Sequence, residues 1–139
     1  MALAYTYHNR GELEQAEPLY LQGFQLLGNT KEDKIALAFG YTNLAEVKFA
    51  QNNISEATEY SRKSLSAFEE VLKPNDSYIG IALNNLGTYL IQQENYEEAK
   101  ECYERALPIL SKSLSYSNDI SKSCLKNLTY VYQKLGKKN

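Results

Sequence analysis

The chain has 139 residues, 43% of them hydrophobic and 23% charged, with seven glycines, three prolines and a formal net charge of −2. This fits one folded domain or one short repeat array, and it argues against disorder and against nucleic acid as a partner. No apolar run is long enough to span a membrane and no secretory or transit signal can be read, so a cytoplasmic, reducing setting is expected, with an organelle as the alternative.

The sequence repeats internally. Asn-Leu recurs as Asn43-Leu44, Asn85-Leu86 and Asn127-Leu128, 42 residues apart each time, and Leu3 stands 41 residues before the first. One residue past this anchor leucine come Ala4, Ala45, Gly87 and Thr129; thirteen past it come Ala16, Ala57 and Ala99. Seventeen past it are Tyr20, Ser61 and Tyr103, and twenty past it Gly23, Ser64 and Ala106. Small residues one and thirteen past the anchor let two antiparallel helices approach closely, with larger apolar side chains filling the space around them. Each repeat therefore reads as a helical hairpin.

In chain order, the first helix is represented only from Met1 and Ala2 onward. Gly11 turns the chain, and a second helix carries "AEPLY" (Ala16–Tyr20) to a stop near Gly28. Thr30-x-x-Asp33 marks the next start, and Asn52 the next turn. Asn53-Ile-Ser-Glu56 opens the following helix, which Pro74 closes. The third pair turns at Glu94, the poorest match at that position, and restarts at Asn95-Tyr-Glu-Glu98. Pro108 falls inside the helix from about Tyr96 to Leu114, where it removes a backbone hydrogen bond and predicts a kink near Glu104–Pro108. The expectation is seven helices in one array: repeats at about 1–30, 33–73 and 76–114 and a closing helix at 118–136. The short first helix reads as the edge of a longer array. Repeat two, with Lys48, Ser61 and Ser64, departs most from the pattern and should pack most loosely.

This pattern resembles the tetratricopeptide repeat. The segment Leu83–Leu107, "LNNLGTYLIQQENYEEAKECYERAL", carries most of that family's motif. The 42-residue period, "AEPLY", and "LKPNDSYIGIALNNLG" at Leu72–Gly87 resemble the longer-repeat branch typified by kinesin light chains. The resemblance implies an all-α, right-handed solenoid of antiparallel helix hairpins whose first helices line a concave, peptide-binding groove.

Helix geometry indicates which residues would line it. At about 100° per residue from the anchor leucine, positions −1, −2, −5, +2, +5 and +6 fall opposite the packed face. Carried over, the groove reads Phe39, Thr42, Asn43, Glu46, Phe49 and Ala50 in repeat two, and Ile81, Asn84, Asn85, Thr88, Ile91 and Gln92 in repeat three. Repeat four gives Ser123, Lys126, Asn127, Tyr130, Gln133 and Lys134, and repeat one Tyr5, His8 and Asn9. An asparagine amide offers donors and an acceptor that match a peptide unit whatever its side chain. Lys126 and Lys134 would favour an acidic residue or a terminal carboxylate. Two readings of the recurring Asn stay open: direct contact with a ligand, and a structural role between adjacent helices.

The remaining residues exclude more than they offer. Cys102 and Cys124 are too few for a disulfide framework and are expected as reduced, packed thiols. His8 is the single histidine, so neither a metal set nor a cofactor site is expected. No phosphate loop, nucleophile elbow or paired-carboxylate pocket can be found, and the chain is expected not to be an enzyme. From Ser111 onward six lysines face one acid, Asp119, either as a solvated final helix or as the basic end of a binding surface. The leading expectation is a non-catalytic adaptor or scaffold module that takes an extended peptide or partner segment in the groove. The alternatives are a scaffold that self-associates through an open terminal repeat and a regulatory module of a larger enzyme.

Overall fold

The computed structural model describes residues 4, 5, 8, 10–115 and 117–136; the expected anchor Leu3, with Tyr7 and Asn9, lies outside the described residues. Among the described residues six helices can be delimited: α1 (Leu13–Gln25), α2 (Lys31–Ala50), α3 (Ile54–Val71), α4 (Ser77–Gln92), α5 (Tyr96–Leu114) and α6 (Asp119–Gly136). Ala4, Tyr5 and His8 are also helical, and no strand occurs among the described residues. No helix among them is long and apolar enough to cross a membrane.

Local chemistry sets the helix boundaries. The Thr30 hydroxyl accepts from the Asp33 N–H at 3.1 Å, and Asn53 Oδ1 accepts from the Glu56 N–H at 3.3 Å, each satisfying a donor that the helix leaves unpaired. Asn95 behaves differently: it makes no cap bond, and its amide instead donates to the Glu98 carboxylate. Asp76 caps α4 by accepting from the Tyr78 N–H at 2.9 Å. The turns between paired helices all use left-handed backbone, at Gly11 (φ 77°), Asn52 (φ 62°) and Glu94 (φ 59°). Helix α5 is continuous from Tyr96 to Leu114, Pro108 included.

The chain divides into two compact units, residues 1–71 and 72–139. In the first, Ala4, Ala16, Tyr20, Leu44 and Val47 form the core, with Leu13, Leu19, Phe24 and Tyr60 packed against it. Two of the polar departures of repeat two, Ser64 and Lys48, are partnered here. Ser64 donates to the Ala38 carbonyl at 2.9 Å and lies 2.6 Å from the Thr42 hydroxyl. Lys48, whose side chain is 11% exposed, places its ammonium 2.9 Å from Glu17 and 2.7 Å from Glu56, joining α1, α2 and α3.

The second unit is more uniformly apolar, with Leu83, Leu86, Leu90, Tyr103, Leu110, Leu128 and Val131 buried. Two glycines of α4 admit α5 closely. A Cβ on Gly80 would stand 2.9 Å from Ile109, and one on Gly87 2.7 Å from the Tyr103 ring. Both cysteines are free and buried, and burial pushes the Cys124 thiol up to about 11.

Candidate functional site

The first helices α2, α4 and α6 carry the residues expected to meet a ligand. Within the first unit, α2 is flanked on both sides, and that narrows its free surface. Thr42 is tied to Ser64 of α3 at 2.6 Å and also donates to the Ala38 carbonyl at 3.2 Å. Phe39 packs edge-on against Phe68 of α3, with ring centroids 5.1 Å apart. Beyond these, Glu46, Phe49 and Ala50 remain exposed, Phe49 at 39%.

Asn43 is half-buried and approaches the Tyr20 hydroxyl of α1 as a hydrogen-bonding neighbour. Tyr20 is itself held by burial; that burial, with the Glu46 charge next in weight, raises its hydroxyl to about 12, and Asn43 works against the rise. His8 completes the cluster, with Nδ1 3.4 Å from the Tyr20 hydroxyl and Nε2 3.6 Å from Glu46. Desolvation lifts the Glu46 carboxyl above its usual range, and the neighbouring His8 opposes that lift. Spacing alone gave no sign of this cluster, because Tyr20 belongs to a different helix.

In the second unit, Thr88 donates to the Asn84 carbonyl at 3.1 Å and lies 3.3 Å from the Tyr103 hydroxyl of α5. Asn84 is only 8% exposed, and its Oδ1 has no hydrogen-bond partner. Thr42, Asn84 and Thr88 are thus drawn into the packing, contrary to the open stripe of the helical wheel. A wheel with one packed face assigns a first helix too much free arc.

Asn85 and Ile91 are half-buried and Gln92 is exposed. On α6, Lys126 and Tyr130 are exposed while Asn127 is half-buried. Asn127 approaches the Tyr103 hydroxyl as Asn43 approaches Tyr20. Tyr130 meets the Tyr96 ring edge-on at 6.3 Å, and the Lys134 ammonium lies 5.5 Å from the Tyr130 ring centroid. At the position of Tyr20 and Tyr103, repeat two carries Ser61. Two of the three recurring asparagines therefore stand against a buried tyrosine. Such an amide still has an oxygen and a second N–H to offer.

Paired helices with small residues where they approach, repeating every 41 or 42 residues, point to one family, and the comparison agrees. Tetratricopeptide-repeat family models match residues 1–23, 41–78 and 78–139. This chain is a tetratricopeptide-repeat protein. It is similar to Protein KINESIN LIGHT CHAIN-RELATED 2 of Arabidopsis thaliana, at 24% identity over 131 residues, covering 94% of this chain and 20% of that protein. The chain thus spans a fifth of that curated relative's length.

Among solved structures, BtubC (BKLC) from P. vanneervenii superposes with a TM-score of 0.79 at 22% identity, over 95% of this chain and 52% of that one. The Sgt2 TPR domain from Aspergillus fumigatus gives 0.70 at 19% identity, over 99% and 78%. The tetratricopeptide-repeat chain accordingly has the all-α solenoid fold class, and its family supports a protein-interaction module.

Proposed function

We propose that this tetratricopeptide-repeat chain is a non-catalytic adaptor that captures an extended peptide or partner segment along the stripes of its first helices. One observation carries the reading: beside a half-buried asparagine, each unit leaves a large exposed side chain. Asn43 is followed by Glu46 and Phe49, and Asn127 by Tyr130, with Phe49 and Tyr130 each 39% exposed. The amides are the backbone-reading groups. Phe49, Ile91 and Tyr130 supply apolar contact, Gln92 adds a polar one, and Lys126 and Lys134 favour an acidic side chain or a terminal carboxylate. Thr42 and Thr88 serve behind this surface, tying the first helices to α3 and α5, and Asn84 is buried there. A reducing, cytoplasmic setting suits the two buried thiols.

The test is a peptide-display selection against the full chain, with an Asn43→Ala/Asn85→Ala variant selected in parallel. The expected outcome is a motif enriched by the wild type and lost by an equally stable variant, each amide being worth about 1–3 kcal/mol. Enrichment of the same peptides by both proteins, or of none by either, would sink the reading.

A further inference from the structure

One face of α6 lacks a covering helix among the described residues. Leu125 and Tyr132 are 49% and 47% exposed, whereas Leu83 and Leu90, at the same positions of α4, are 1% and 0% exposed. On α4 this face is closed by α5, which sends Tyr103 against Gly87 and Ile109 against Gly80. The equivalent face of α4 thus carries a helix, but Lys122 and Thr129 stand where Gly80 and Gly87 do, so a helix on α6 would sit further off. The face is also basic: Lys122 and Lys126 are exposed and make no ion pair among the described residues.

We propose that this face docks α1 of a second copy of the chain. Of the six helices, α1 is the one whose charged side chains are all acidic. Glu14, Pro18 and Leu21 are exposed at i, i+4 and i+7, a single helical face, with Leu21 at 40%. Glu17 is already engaged by Lys48, but Glu14 makes no ion pair among the described residues. With the two helices parallel, Glu14 meets Lys122 and Lys126 while Pro18 and Leu21 cover Leu125 and Tyr132. The spans agree, since Glu14 to Leu21 and Lys126 to Tyr132 each run about 10 Å along their helices. The two faces differ, so the contact is heterologous, and one helix on another makes it weak and transient.

Sedimentation of the full chain from about 10 µM to about 1 mM, the range suited to a weak contact, tests this. The wild-type average mass is expected to climb above the 15.8 kDa monomer with concentration, and added salt to suppress the climb. Leu21→Asp and Leu125→Asp each remove one face at an exposed position, and circular dichroism checks that both variants fold. Each alone should stay monomeric, and the two mixed should form a 1:1 pair. Lys122→Glu/Lys126→Glu should weaken the association, and adding Glu14→Lys to that chain should restore it. A wild type that stays monomeric throughout, a single variant that associates like the wild type, or a mixture that does not pair would each overturn the proposal.

Discussion

Gly87 and Tyr103 are fitted to each other: a Cβ on the glycine would come within 2.7 Å of the ring's Cζ, and the tyrosine is fully buried. Repeat two solves the same approach with the opposite allocation, Ala45 on the first helix and Ser61 on the second. Helix propensity alone would favour alanine over glycine by about 1 kcal/mol. The overpacking outweighs it, because a ring with no free side cannot swing away. Gly87→Ala is expected to destabilise the chain by roughly 1–2 kcal/mol in urea unfolding. In a Tyr103→Ser background the same substitution should cost little or become favourable, and equal costs in both backgrounds would refute the pairing.

Lys48 occupies the position that Leu90 holds in the next repeat, and two carboxylates make it tolerable there. Lys48→Met keeps much of the stem but strands Glu17, whose side chain is only 25% exposed. A loss of about 1–3 kcal/mol is expected, between the values for exposed and for fully buried pairs. Its pH dependence has a definite sign. The hydrogen bond from Lys48 holds the Glu56 carboxyl below its ordinary range, so that stabilisation is complete above the range and lost as pH falls through the lowered value. The hydrogen bond to Glu56 holds Lys48 above the ordinary lysine range, so its share is complete below that range and lost as pH rises through the raised value. The stability difference between wild type and Lys48→Met should be flat near neutrality and shrink at both extremes. A difference that grew in acid would rule out the ion pairs as its source.

Glu94 has φ 59° at the turn between α4 and α5, a conformation that costs a side chain bearing a Cβ about 1–2 kcal/mol. Asparagine tolerates it, as Asn52 does at the equivalent turn. Glu94→Asn is expected to stabilise the chain by roughly 0.5–1 kcal/mol, read as a shift in the denaturation midpoint with an unchanged slope. No shift would mean that the turn relaxes without cost.

The helices were legible because their signals are local: the leucine anchor, small residues at fixed offsets, and caps at Thr30 and Asn53. Asp76 was missed, although an acid before Ser77 and Tyr78 is an ordinary cap. The Lys48 triad was not legible, since Glu17, Lys48 and Glu56 come from three helices and only a lysine in a leucine's place hinted at it. The candidate surface was legible in part. The wheel located Glu46, Phe49, Lys126 and Tyr130, which the structure leaves exposed, but it also included Thr42, Asn84 and Thr88. Those three are withdrawn by contacts or burial across the helix pairs, which a one-helix projection does not contain.

Asn84 tests that distinction directly. Its buried Oδ1 has no partner, at a cost of order 1–3 kcal/mol for a group of this kind. Its counterpart in repeat two, Thr42, turns its hydroxyl back onto the Ala38 carbonyl one turn earlier. A threonine at 84 would find the Gly80 carbonyl in the same relation. Asn84→Thr should therefore leave no orphaned oxygen and stabilise the chain by about 1 kcal/mol, measured by urea unfolding. If Asn84 belongs to the packing, the variant will also select the same peptides as the wild type with the same affinity. A stabilised variant that loses its peptide would instead place Asn84 in direct contact with ligand, and the free arc of α4 would have to be widened to include it.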